Sequence, residues 1–139
     1  MSKSRNLILV TGVAGFIGAA LAKKLINKGE NVLGIDNLND YYDVNLKKSR
    51  LADIDKHALK SSGSWQFKIC DIKDKKNLYR ITSNPRPNIV VNLAAQAGVR
   101  YSISNPGEYL SNNIIGFGNI LDLSRDFKVD NLIYASSSS

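Results

Sequence analysis

Cysteine, proline, tryptophan and histidine are all scarce in this 139-residue chain, which holds one Cys, three Pro, one Trp and one His. With Cys70 alone, an internal disulfide and a cysteine-built zinc site are excluded, and a reducing compartment is suited. His57 stands without a Cys or His neighbour in sequence, so it reads as a surface residue and no metal site is expected. No apolar run approaches the roughly eighteen residues of a membrane span, so a soluble, cytoplasmic protein with no membrane partner is expected. Lys3 and Arg5 ahead of an apolar stretch mimic a leader peptide. Thr11 and three glycines interrupt that stretch, however, and Lys23, Lys24 and Lys28 continue it as an amphipathic helix. The length suits one domain with a real core and is too short for two.

Positive charge is in excess, with nineteen Lys and Arg against twelve Asp and Glu for a net +7. Between Lys47 and Arg86 there are eleven basic and four acidic residues, so this segment holds the entire imbalance. It spans two predicted surface helices and lacks the interleaved aromatics of a base-stacking platform. The pattern points to a solvated face and away from a nucleic-acid partner.

The most informative stretch is Leu7 to Asp36. Leu7-Ile8-Leu9-Val10 reads as a buried strand, and Thr11-Gly-Val-Ala-Gly-Phe-Ile-Gly18 as a G-x-x-G-x-x-G turn. Ile17, Leu21 and Leu25 then recur at helical spacing, Gly29 closes the helix, and Asn31 to Ile35 forms a second strand ending at Asp36. Each part has a physical role. Gly12, Gly15 and Gly18 serve a tight turn, backbone approach to a pyrophosphate and close packing of helix on strand. The helix start offers unpaired amides to phosphates, and an acid at the tip of the second strand can accept two ribose hydroxyls. Strand, turn, helix, strand and acid in register therefore predict dinucleotide binding.

Further along, Asn37 to Asp43 has turn chemistry and reads as a loop. Val44, Leu51, Ile54 and Ala58 mark a thin helical stripe among charges. Trp65 to Cys70 alternates with period two, as an edge strand does, whereas Ile89-Val90-Val91 and Leu132-Ile133-Tyr134 read as strands buried on both faces. Asp71 and Ile72 end the third strand beside Asp36, and Leu78 and Ile81 mark a short helix stopped by Pro85 and Pro87. Small residues from Asn92 to Gly98 let backbone approach a ligand after the fourth strand. Asn105-Pro106-Gly107-Glu108 reads as a capped helix start whose apolar face is Ile114, Phe117 and Leu121. Asn113 shares that inward region and is expected to bond a strand end or loop, since an unpaired buried amide costs roughly 1–3 kcal/mol. The fold class predicted is α/β, a Rossmann-type doubly wound parallel sheet of order 3-2-1-4-5, with sites along the carboxyl edge between strands one and four.

Four stretches carry a family resemblance: Thr11 to Gly18, Asp36-Asn-Leu-Asn-Asp-Tyr-Tyr42, Asn92-Leu-Ala-Ala-Gln-Ala-Gly-Val-Arg-Tyr-Ser102 and Tyr134-Ala-Ser-Ser-Ser-Ser139. Together they resemble the first part of an extended short-chain dehydrogenase/reductase, a nucleotide-sugar epimerase of the UDP-glucuronate 4-epimerase branch. The resemblance implies that residues 1–139 are a partial NAD-binding domain whose substrate domain is absent, and that the full-length parent is a homodimer. It implies NAD as cofactor and a nucleotide sugar as substrate, oxidised at C4 to a 4-keto intermediate and reduced again from its other face. Backbone at Gly12, Gly15, Phe16, Ile17 and Gly18 would hold the pyrophosphate, Asp36 and Asn37 the adenosine ribose, and Asp71 and Ile72 the adenine. Leu93, Ala94 and Ala95 would meet the nicotinamide half, Asn113 would prop the loop after strand four, and Ser137 would hydrogen-bond the reacting sugar hydroxyl. Arg100 is the candidate for a substrate phosphate or carboxylate.

The sequence departs from that family in lacking its Y-x-x-x-K pair, since Asn105 follows Tyr101 at that spacing and Asn113 follows Tyr109. By itself this chain is therefore expected to be inactive and to expose apolar surface. A second departure is Asn92, where many relatives place histidine. A UDP-glucose 4-epimerase, a nucleotide-sugar 4,6-dehydratase and a UDP-glucuronate decarboxylase are alternatives sharing the oxidation step. A noncatalytic dinucleotide-binding module is the alternative of another class.

Overall fold

Alternate side chains of the central strand β1 (Leu7–Thr11) leave on opposite faces, so that Leu9 enters one apolar core and Ile8 and Val10 enter another. The structure, a computed structural model, describes residues 6–137. The tail 1–5 and the last two residues of the serine run, Ser138 and Ser139, lie outside the described residues. Strands β2 (Asn31–Asp36), β3 (Trp65–Ile69), β4 (Ile89–Asn92) and β5 (Asn131–Tyr134) join β1 in an all-parallel sheet of order β3-β2-β1-β4-β5. This is the predicted order. On one face, helices α1 (Phe16–Asn27) and α2 (Val44–Leu59) cover Ile8, Val10, Val32 and Val91. On the other, α3 (Lys75–Thr82) and, later in the chain, α6 (Phe117–Asp126) cover Leu9, Leu33, Ile35 and Val90 with Leu78, Ile81, Ile120 and Leu123. Between them lie α4 (Val99–Ser104), α5 (Pro106–Tyr109) and a π-helical segment Leu110–Gly116 that runs directly into α6. Asp43 and Asp74 cap α2 and α3 by accepting from the amides of Asn45 at 2.9 Å and Asn77 at 3.1 Å. No helix of the described residues is long and apolar enough to cross a membrane.

Four expectations need correction. The buried line of α1 is Gly18, Ala19, Ala22 and Ile26, with Leu21 and Leu25 only flanking it and Ile17 turned out, because small residues let the helix settle closer to the strands than leucines allow. Strand β5 is not buried on both faces: Ile133 is 56% exposed, since β5 forms the second edge of the sheet and no described element covers it. The helix start at Asn105 has its proline at the first position but no side-chain capping bond. Finally, Ile114, at 62% exposed, and Leu121 do not face the core, which instead takes Gly116, Ile120 and Leu123. The π-helical segment supplies the reason. Its i to i+5 bonding adds a residue per turn and rotates everything after it away from the phase that a 3.6-residue period projects.

Candidate functional site

Gly12 ends the first strand in the left-handed region, with φ of +67°. A Cβ there would stand 2.8 Å from Ala94 N and 2.9 Å from the Leu93 carbonyl carbon, so only glycine lets the turn approach the loop after β4 this closely. At Gly18 a Cβ would fall on the Gly12 carbonyl oxygen and lie 2.9 Å from Val13 Cα, which is the close helix-to-strand packing that the third glycine was expected to serve. Gly15 begins α1 without a side-chain cap, leaving the first-turn amides to solvent or a ligand. Phe16 and Ile17 stand exposed at this helix start, Phe16 at 80%.

At the tip of β2, Asp36 is 8% exposed and its carboxylate is fixed from two sides. Oδ2 accepts from the Ala14 amide of the glycine turn at 3.1 Å and Oδ1 accepts from the Leu38 amide at 2.8 Å. Asn37 turns back on the same edge, donating to Asp71 Oδ2 at 3.3 Å while its own Oδ1 accepts from the Asn39 amide at 3.1 Å. Asp71 in turn accepts from the Lys73 amide at 2.9 Å. Gly12, Gly15, Asp36, Asn37, Asp71 and Ile72 line one cavity at the carboxyl edge of the sheet, and Leu93, Ala94 and Ala95 close it on the β4 side. A second cavity continues from those three residues to Asn113, Ser136 and Ser137 beyond β5. Arg100 is exposed on the first turn of α4 and lines neither of these cavities.

The loop after β4 is held from two directions. Asn113 brackets the Gln96 backbone, accepting from its amide at 2.9 Å and donating to its carbonyl at 3.1 Å, so it bonds a loop as expected although it sits in an exposed position and not an inward one. From below, the buried Thr11 hydroxyl donates to Asn92 Oδ1 at 2.5 Å and accepts from the amides of Leu93 at 3.1 Å and Ala94 at 3.0 Å. Sequence reasoning assigned Asn92 no physical role and passed over Thr11; the clue was a hydroxyl residue at the end of an otherwise apolar strand.

Tyrosines gather where the Asn37–Asp43 loop meets α4 and α5. The Tyr41 and Tyr101 rings meet edge-on at 4.7 Å between centroids, and Tyr109 donates its hydroxyl to the Gly98 carbonyl. Partial desolvation, with Tyr41 and Tyr101 beside it, pushes the Tyr109 hydroxyl above its ordinary range, so it keeps its proton near neutral pH. Burial pushes the Cys70 thiol up to about 11, with Asp74 and Asp71 adding to the shift, so this cavity-lining sulfur is no nucleophile near neutral pH. Among the described residues, no three His, Cys, Asp or Glu side chains gather in a way that could hold a metal ion.

Known proteins resemble this chain in sequence and fold. Protein CapI of Staphylococcus aureus is 52% identical over 132 residues, covering 95% of this chain and 38% of its own length. A UDP-glucuronate 4-epimerase of Thermodesulfobacterium geofontis is 47% identical over 131 residues, covering 94% of this chain and 39% of its own length. The crystal structure of a UDP-glucose-4-epimerase from Stenotrophomonas maltophila, with bound NAD and formylated UDP-arabinopyranose, superposes with a TM-score of 0.81 at 27% identity, over 96% of this chain and 38% of that one. The chain thus spans well under half the length of these relatives. The family model of GDP-mannose 4,6 dehydratase matches residues 9–139, which take in the glycine turn, the acid at the β2 tip and all but the first residues of the sheet, and on that ground this chain belongs to that family.

Proposed function

We propose that this chain is the NAD-binding part of a nucleotide-sugar epimerase whose substrate is UDP-glucuronate. The observation that carries the reading is the Asp36 carboxylate, locked by the Ala14 and Leu38 amides in the same cavity as Gly12 and Gly15. A carboxylate so held keeps lone pairs for two vicinal ribose hydroxyls and repels a 2′-phosphate. In this reading, backbone at Gly12, Gly15, Phe16, Ile17 and Gly18 holds the pyrophosphate, Asn37 joins Asp36 at the ribose, and Asp71 and Ile72 border the adenine. Leu93, Ala94 and Ala95 face the nicotinamide half on the loop that Asn113 and Thr11 hold in place. These residues would hold NAD, which would supply a hydride acceptor for oxidation of the sugar at C4 and the hydride donor for its reduction.

Ser137, in the second cavity, is the residue proposed to hydrogen-bond the sugar hydroxyl. A serine hydroxyl is too weak a base to remove the proton that must leave with oxidation, so the 139-residue chain is proposed to be inactive without a tyrosine and lysine from the remainder of a longer protein. Arg100 is proposed to reach a substrate phosphate or carboxylate from its exposed place on α4. The full-length protein is proposed to be a cytoplasmic homodimer.

Titration of the full-length protein with both dinucleotides tests the cofactor: NAD is expected to bind more tightly than NADP, and Asp36→Ala to weaken NAD. Equal or tighter NADP binding by the unmodified protein overturns the reading. Turnover of UDP-glucuronate compared with UDP-glucose tests the substrate, and a clear preference for the neutral sugar rejects it. Dinucleotide binding without turnover of either sugar would favour the noncatalytic module.

A further inference from the structure

Lys47 is the one residue of the basic segment that contradicts the expectation of a solvated face. It is 5% exposed and lines the cavity that holds Asp36, Gly12 and Gly15. A buried ammonium ordinarily has a carboxylate beside it, because desolvating an uncompensated charge is costly. Here, among the described residues, no carboxylate lies within 4.0 Å of it. Its Nζ donates to the Asn39 carbonyl at 2.9 Å and to Asn39 Oδ1 at 2.7 Å, and it sits 4.7 Å from the centroid of the Tyr42 ring. Two of its three N–H groups are thereby used on neutral acceptors, and its full charge has no counter-charge beside it.

One helical turn on, Arg50 ties the same helix to the glycine turn. Its Nη1 donates to the Ala14 carbonyl at 3.2 Å and to the Tyr42 hydroxyl at 3.0 Å, fastening α2 to the glycine turn. Lys47 thus lines the same cavity as a glycine turn whose helix start has no side-chain cap, and neither carboxylate of that cavity, Asp36 or Asp71, is paired with it.

We propose that Lys47 is a further dinucleotide-binding residue whose ammonium pairs with the cofactor's pyrophosphate. The inference rests on the NAD reading above. Adenine and both riboses are neutral, so the pyrophosphate is the anion that a cation in this cavity can meet. The competing role is structural, with Lys47 merely pinning the loop at Asn39.

Calorimetric titration of the full-length protein, unmodified and as Lys47→Met and Lys47→Arg, with NAD, ADP-ribose and adenosine separates these. Loss of a charge-assisted pair is expected to weaken NAD and ADP-ribose in Lys47→Met by about tenfold or more, while adenosine, which lacks phosphate, stays within about twofold. Lys47→Arg should recover part of the loss, and the dependence of NAD affinity on salt should be shallower in Lys47→Met. Unchanged NAD affinity, or an equal loss for all three ligands, overturns the pairing while leaving the cofactor assignment intact. Failure of the unmodified protein to bind NAD or ADP-ribose overturns both.

Discussion

The Thr11 hydroxyl touches both halves of the cavity edge, giving its proton to Asn92 and accepting two amides from the loop that follows. Valine has the same shape and none of this bonding. Thr11→Val should therefore strand the Asn92 side-chain oxygen and the Ala94 amide, the Leu93 amide keeping the Thr11 backbone carbonyl, and cost about 1–3 kcal/mol of stability, whereas Thr11→Ser should stay close to the parent; urea denaturation measures both. Cys70 makes a prediction about pH. Burial lifts its thiol from an ordinary 9.0 to about 11, so the fold favours the protonated form. That contribution is complete below pH 9, where both folded and unfolded chains keep the proton, and is lost as pH rises towards about 11, where the unfolded chain has already released it. Stability measured from pH 9 to 11 should fall more steeply in the parent than in Cys70→Ala.

At the scale of elements, the run from α4 to α6 departs furthest from the sequence reading. Periodicity assigns Ile114, Phe117 and Leu121 to one face, and that assignment holds only if the helix keeps 3.6 residues per turn throughout. The π-helical segment Leu110–Gly116 breaks the phase, leaving Asn113 on the Gln96 backbone and bringing Ile120 and Leu123 into the core against Leu9 and Val90. The consequence is measurable by chemical denaturation: Ile120→Ala should cost about 2–5 kcal/mol and Ile114→Ala no more than about 0.5. Equal costs would show that the phase break is absent. The caps of α2 and α3, by contrast, rest on local chemistry, because an aspartate ahead of each helix has a backbone amide to accept from.

For the whole molecule, the sheet is buried at its centre and exposed at its last edge. β1 is hydrogen-bonded on both sides, to β2 and β4, and Leu9, Val10 and Val90 are fully enclosed, whereas β5 is bonded only to β4 and α4 buries no residue. Native-state hydrogen exchange should accordingly be slowest in β1, β2 and β4 and fastest through residues 99–109 and in β5. Slow exchange in β5 would mean that a further element covers that edge. The +7 charge divides in the same way by position: most of the basic segment is solvated, but Lys47 is drawn into the cavity and Arg50 is tied to the glycine turn.

The glycine turn, the acid at the β2 tip and the rim position of β3 were determined by sequence alone, because each rests on local chemistry or a two-residue period that tertiary packing reinforces, and the strand order followed from strands alternating with helices in right-handed crossovers. Small apolar residues at Gly18, Ala19 and Ala22 decided the buried line of α1, since close approach to β1 is a property of the pair and not of the helix. The exposure of β5 was equally a matter of place in the sheet, as an apolar run reads the same at an edge as at the centre. Lys47 and the Thr11 to Asn92 bond were decided only in three dimensions. Their partners lie 8 and 81 positions away in sequence, and no periodicity tells a solvated lysine from one folded into a cavity, or a strand-end threonine from the hub of a loop.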